Sequence, residues 1–345
     1  MHTLIIAEAG VNHNADASMA REMVVAAKEA GADYVKFQTA VPDLVISSVA
    51  PKAAYQKEQT GDGESQLDMC RKLHFPVEFY AELKEFCDSV CIGFLSTPFD
   101  LVSLRFLLGL GMDFLKVPSG EITNLPFLRE VAASGLSVLL STGMSTFGEV
   151  RRAVGVLMDV PLVISDGRSV TVLQCNTQYP TPYSDVNLRA MPAMGRDLGL
   201  PFGYSDHTPG IEVPVAAVAL GATVIEKHFT LSRSLPGPDH KASLEPSELH
   251  AMVSAIRNVE EALGSDSKEV SPSERDNIAV ARRSLVAARD IRKGELFSYD
   301  NLAVKRPGTG ISPWLIDSVV GRPAPCDFPY DSLISLDTPL PNPDI

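Results

Sequence analysis

Two histidines stand at matching places in consecutive segments, His207 in FGYSDH and His228 in TVIEKH. Side chains two apart on an extended chain share a face, so His207 shares one with Ser205 and His228 with Glu226. Charge buried at such a strand tip is costly unless it is paired, hydrogen-bonded or bound to a metal. Two imidazoles completed by water and substrate oxygens suit a borderline divalent ion such as Mn²⁺ better than a closed structural zinc site. Lys36 in YVKFQ and Lys116 in FLKVPSGE add two cations. The hydroxyls of Thr97, Ser119 and Ser141 and the amide of Asn176 accompany them. Lysines and hydroxyls converging from several strand ends make a phosphate or carboxylate site. Glu8 and Glu121 are candidates for acid–base work or for bonds to substrate hydroxyls. This chemistry is that of a metal-assisted enzyme acting on a small phosphorylated or carboxylated substrate.

The elements that must hold these residues alternate along the chain. Short runs rich in β-branched residues (LIIAE, YVKFQ, CIGFLST, FLKVPSGE, SVLLSTG, VTVLQCN, FGYSDH and TVIEKH) are each followed by a helical or broken stretch. The helical stretches are expected near 18–30, 67–73 and 77–89, then near 101–110, 126–134 and 147–158, and finally near 213–220 and 246–263. A broken segment is expected before 197. Eight strand–helix units in roughly 260 residues predict a parallel, closed (β/α)8 barrel (TIM barrel) over residues 1–264. A doubly wound open sheet is the alternative, but no Gly-rich dinucleotide fingerprint follows the first strand. Residues 38–65 exceed an ordinary βα connection and form a lid candidate. Residues 265–283 read as a polar linker. Residues 284–345, with short alternating runs and many prolines, read as a small β-rich domain. A core of that size is marginal alone and is expected to pack on a barrel.

At 345 residues, with 45% hydrophobic and 21% charged residues, the chain has the composition of a globular protein. Its formal charge of −13 argues against nucleic-acid or anionic-membrane binding. The N-terminus has no basic region ahead of its short apolar run, and no run is long enough to span a bilayer. The cysteines at 70, 87, 91, 175 and 326 lack paired metal spacing and are expected to be reduced and mostly buried, as in a cytoplasmic protein.

The motifs EAGVNHN, VKFQT, FLSTPFD, VPSGEITNLP, LSTGM, YPTPYSDVNL, GYSDHTPG, IEKHFTL and GPDHKASLEP closely resemble those of the bacterial sialic acid (nonulosonate) synthases. The tail segments DIRKGELF and VKRPGTGIS resemble their antifreeze-like (SAF) domain. The resemblance implies condensation of phosphoenolpyruvate with the open-chain aldehyde of an N-acylated amino sugar, releasing phosphate by C–O cleavage. It implies Mn²⁺, or another divalent ion such as Mg²⁺ or Co²⁺, held by His207 and His228. Lys36, Thr97, Lys116, Ser119, Asn176 and Ser205 would grip phosphoenolpyruvate, the choice between Asn176 and Thr177 being left open. Glu8 would sit beside the metal and the reacting carbons. Gln38, Glu121, Tyr179 and Asp239 would face the sugar. Arg306 would reach its acyl group from the partner chain of a domain-swapped homodimer. Glu226 would support the metal site, with Lys227 pointing away from the mouth. The expected acceptor is N-acetylmannosamine, giving N-acetylneuraminate. The alternative is 2,4-diacetamido-2,4,6-trideoxymannose, giving N,N'-diacetyllegionaminate.

Two rivals remain. A Schiff-base aldolase would use Lys116 as nucleophile, which needs an apolar pocket, whereas hydroxyls and histidines surround this lysine. A non-catalytic sugar- or surface-binding protein would call for an exposed, flat, Thr-rich face, and the tail is charged and Pro-rich instead.

Overall fold

The computed structural model describes residues 2–159, 169–338 and 340. The chain divides into two units, Met1–Gly264 and Ser265–Ile345.

The first unit carries eight strands: β1 (Leu4–Gly10), β2 (Tyr34–Thr39), β3 (Gly93–Pro98), β4 (Phe114–Val117), β5 (Ser137–Ser141), β6 (Val170–Cys175), β7 (Phe202–Asp206) and β8 (Val224–His228). They are buried almost end to end, as strands covered on both faces must be. Parallel ladders give the order β3-β2-β1-β8-β7-β6-β5-β4, and β3 and β4 lie side by side to close the ring. This is the predicted (β/α)8 barrel.

Local chemistry explains the surrounding helices. In Ala17–Ala30 the Asp16 side chain accepts from the backbone N–H groups of Ser18 and Met19, a cap worth about 1 kcal/mol. Gly31 ends the helix at φ 86°, a left-handed conformation that favours glycine. Ala20, Met23, Val24, Ala27 and Ala30 form its buried stripe at helical spacing. The helices Phe147–Met158 and Pro246–Leu263 have the predicted bounds. Part of the segment expected to be broken is a regular helix, Ala190–Leu198, closed by Gly199 in the left-handed region.

Residues 38–65 are not structureless. They contain the short helices Pro42–Val45 and Ala54–Thr60. Lys52 is buried there and donates to Thr60 Oγ1 (2.9 Å) and the Gly61 carbonyl (3.1 Å).

The second unit pairs β9 (Ser284–Ala287) with β10 (Leu302–Lys305), antiparallel. Its own core gathers Leu285, Ile291, Phe297, Phe328 and Ile334. Within the stretch expected to be a linker, Asn277–Ala281 is helical and Ala279 accepts from Gly308 N–H. All five cysteines are free; Cys87 and Cys175 are buried, but Cys91 and Cys326 are exposed, against expectation. Among the described residues no helix is long and apolar enough to cross a membrane.

Candidate active site

Register sets the site. Glu8 lies opposite both Lys36 and His228, Gln38 opposite Thr97, and Glu226 opposite Ser205. These side chains therefore reach one level of the barrel, at the C-terminal ends of its strands, where barrel chemistry is found. They line a cavity of about 260 Å³.

At the centre is a buried network of two carboxylates and two ammoniums. Lys116 Nζ donates to both oxygens of Glu226, at 2.7 and 2.9 Å. Lys36 Nζ lies 2.8 Å from Glu8 Oε2, 3.2 Å from Glu226 Oε2 and 3.0 Å from Thr97 Oγ1. Ser205 Oγ donates to Glu226 Oε1 (2.9 Å), and Gln38 Nε2 to Glu8 Oε1 (3.1 Å). Gly10 makes room for this crossing: its φ is +55°, and a Cβ there would meet Glu8 Oε1 and the His228 ring at 3.3 Å.

Burial and partners set the ionisation. Burial raises the Glu226 carboxyl, but Lys116 and Lys36 overcome it and hold the group well below the usual carboxylate range. Glu8 is raised, first by burial and also by Glu226, against the pull of Lys36. Burial draws Lys36 down, yet Glu226 and Glu8 raise it overall. Lys116 is lowered by burial. It is held against the anionic Glu226 carboxylate, a partner that favours the ammonium and ties up the nitrogen that a Schiff base would need free. That arrangement disfavours the Schiff-base reading.

The histidines form the second part of the site, with ring centroids 5.3 Å apart. His207 Nδ1 donates to the Asn176 carbonyl oxygen at 2.5 Å. A carbonyl only accepts, so the proton sits on Nδ1 and the Nε2 lone pair is left for a ligand. Burial lowers His207 to about 4 and His228 well below its ordinary value, so both rings are neutral near pH 7. His228 Nδ1 is buried without a partner. Two neutral imidazoles, one with an unpartnered nitrogen, fit a divalent ion. Among the described residues no group of three or more His, Cys, Asp or Glu stands together as a complete cage, so water and substrate would complete the coordination.

Tyr179 packs tilted against His207 with centroids 4.0 Å apart, and Tyr55 stacks on Tyr179 at 5.0 Å. Asp239 lines the same cavity, and its carboxyl is pushed up to about 7 by burial and then by Glu8.

Most expected residues therefore meet: Glu8, Lys36, Gln38, Thr97, Lys116, Ser119, Tyr179, Ser205, His207, His228 and Asp239 all line the cavity. Three do not. The Asn176 side chain turns into its own loop, accepting from Gln178 N–H at 2.7 Å, and Thr177 takes its place in the wall. Glu121 accepts from Asn124 Nδ2 outside the lining. Arg306 is exposed in the second unit.

Other lining residues carried no chemical signal in the sequence. Tyr55 and Gln56 come from the Ala54–Thr60 helix. Met69, Cys70, Leu73 and His74 come from the Gln66–Leu73 helix and its end, where the spacing of four between Met69 and Leu73 marks one face. Lys227 does point away from the mouth, but it is fully buried rather than solvated, 2.5 Å from Asp206.

Paired lysines, neutral histidines and buried carboxylates thus gather at the mouth of the barrel, where barrel enzymes carry their chemistry. The chain belongs to the NeuB family, which it matches over residues 23–268, and it matches the SAF domain over residues 282–338. It is 47% identical to the N,N'-diacetyllegionaminic acid synthase of Campylobacter jejuni, over 96% of this chain and 98% of that one. It is 46% identical to the enzyme of the same description from Legionella pneumophila, over 93% and 90%. Among solved structures, the N-acetylneuraminic acid (sialic acid) synthetase of Leptospira borgpetersenii in complex with citrate is similar, at 33% identity and a TM-score of 0.69. That match covers 81% of this chain and 90% of the other.

Proposed function

We propose that the protein condenses phosphoenolpyruvate with 2,4-diacetamido-2,4,6-trideoxymannose, giving N,N'-diacetyllegionaminate and phosphate. This replaces N-acetylmannosamine as the favoured acceptor, because the two curated relatives described above are diacetyllegionaminic acid synthases. The wall of the cavity supports the same choice. Val11, Met69, Leu73 and Phe99 line it, and apolar side chains suit a 6-methyl group and acetamido methyls better than the hydroxyls of N-acetylmannosamine.

The observation that carries the reading is the buried pair Lys36 and Lys116 among the hydroxyls of Thr97, Ser119 and Ser205, a site that grips phosphate. Held there, phosphoenolpyruvate turns carbon 3 toward the aldehyde. A new C–C bond forms, water adds at carbon 2, and the tetrahedral adduct expels phosphate with its bridging oxygen. Glu8, beside Lys36, takes the proton that this water gives up and passes it to the oxygen of the former aldehyde, and the proton of the carbon-2 hydroxyl leaves with phosphate as the ketone forms. Gln38, Tyr179 and Asp239 orient the sugar. His207 and His228 would hold Mn²⁺, Mg²⁺ or Co²⁺, which supplies a Lewis acid for the aldehyde.

A homodimer in the cytoplasm completes the proposal, with Arg306 of one copy reaching the sugar in the other. A groove of mixed character, with exposed Leu44 and Val102 beside Asp100 and Asn124, offers such a copy a place to dock.

The test is phosphoenolpyruvate labelled with ¹⁸O at the bridging oxygen. The proposal requires the label in released phosphate, dependence on acceptor sugar, and arrest by EDTA with recovery on Mn²⁺. Label retained in the acid product, or a borohydride-trapped adduct on Lys116, would refute it.

A further inference from the structure

A count of donors in the lysine network shows a problem for any anion that enters. An ammonium has three N–H groups. Lys36 gives a hydrogen bond to Thr97 (3.0 Å) and lies at ion-pair distance from both Glu8 (2.8 Å) and Glu226 (3.2 Å). Lys116 spends two on Glu226, at 2.7 and 2.9 Å, and keeps one. Two ammoniums face two carboxylates, so the network offers an incoming anion no net positive charge. The reading of this site as a phosphoenolpyruvate grip therefore needs something to let go.

We propose that Glu226 is a positioning residue that competes with the substrate's phosphate for Lys36 and Lys116 and yields both to it on binding. Two observations single it out from Glu8. Glu226 touches both lysines, whereas Glu8 touches only Lys36. It makes the longest of the three Lys36 contacts, 3.2 Å, the one given up most cheaply. Without a resident carboxylate the two buried ammoniums would repel one another and splay. With it, both are aimed at one point before substrate arrives, a preorganisation that strengthens electrostatic catalysis. The cost is competition: the same carboxylate opposes every anion that enters and helps to push phosphate out after reaction.

The inference rests on the phosphoenolpyruvate reading, and inorganic phosphate as probe separates the two. Calorimetric titration of phosphate into the full-length protein should show binding that Lys36→Met abolishes. If the wild type binds no phosphate, or Lys36→Met binds it unchanged, the site reading itself falls and the inference with it. Given that binding, Glu226→Gln should tighten phosphate and lower the KM for phosphoenolpyruvate by roughly tenfold, while kcat falls by at least a comparable factor. A purely structural role predicts weaker phosphate binding with KM and kcat worsening together, and that result overturns the proposal. Should Glu226→Gln fail to fold, Glu226→Asp keeps the charge but withdraws it from the lysines. It should tighten phosphate in the same direction by a smaller factor, and weaker binding there would equally overturn the proposal.

Discussion

Strand β8 buries charge on both of its faces, in different ways. On the outer face Lys227 is fully buried and meets Asp206 at 2.5 Å and the Thr208 carbonyl. Asp206 in turn accepts from Thr208 N–H at 3.0 Å and Thr208 Oγ1 at 2.8 Å. That pair is one to one and closed by its own chain. On the inner face Glu226 is shared between two lysines, the network borders a cavity, and His228 Nδ1 has no partner. Burial and charge type do not separate the two faces. What separates them is whether the protein alone completes the bonding, and incompleteness is the mark of a site that expects a ligand.

The largest contrast should come from removing one lysine on each face. Lys116→Met should lower kcat/KM for phosphoenolpyruvate by about a thousandfold, since it deletes a charge aimed at the reacting group. Its melting temperature should change little, because Lys36 remains beside Glu226. Lys227→Met should do the reverse. It strands Asp206 in the interior, at a cost of about 3–5 kcal/mol measured by urea unfolding. The molecules that stay folded should keep near-normal kcat/KM. If both variants lose activity without losing stability, the distinction between the faces is wrong.

A finer test uses Asp239, a cavity-lining carboxyl with no cation against it. Its carboxyl ionises near 7 in the folded protein and near 3.8 in the unfolded chain. Folding therefore binds a proton between those values, and its contribution to stability is present below about pH 4 and lost as pH rises through 7. Asp239→Asn should match the wild type in acid and gain progressively up to about pH 8, by at most about 4 kcal/mol. Thermal unfolding at pH 5 and pH 8 reads this directly, and a gain that does not grow with pH would contradict it.

The barrel was legible because eight apolar runs alternate with helical stretches, and a period of two placed Glu226 and His228 on one face. The same parity turned Lys227 away from the mouth. It could not show that packed helices bury it, or that Asp206 waits beside it, because those contacts are set by register between β7 and β8. Nor could spacing show that Glu226 bridges both lysines, since Lys116 lies 110 positions away. Asn176 and Thr177 differ by one step of a chain leaving its strand, where alternation no longer holds. Tyr55, Met69 and Leu73 were missed because ordinary packing residues carry no chemical signal until a fold points them into a cavity.

The most direct measurement compares phosphate release from phosphoenolpyruvate, with Mn²⁺ present, for the two acceptors side by side. A kcat/KM favouring 2,4-diacetamido-2,4,6-trideoxymannose over N-acetylmannosamine by about a hundredfold or more is the expected result. Faster turnover of N-acetylmannosamine, or release with neither sugar by folded protein, would contradict the account.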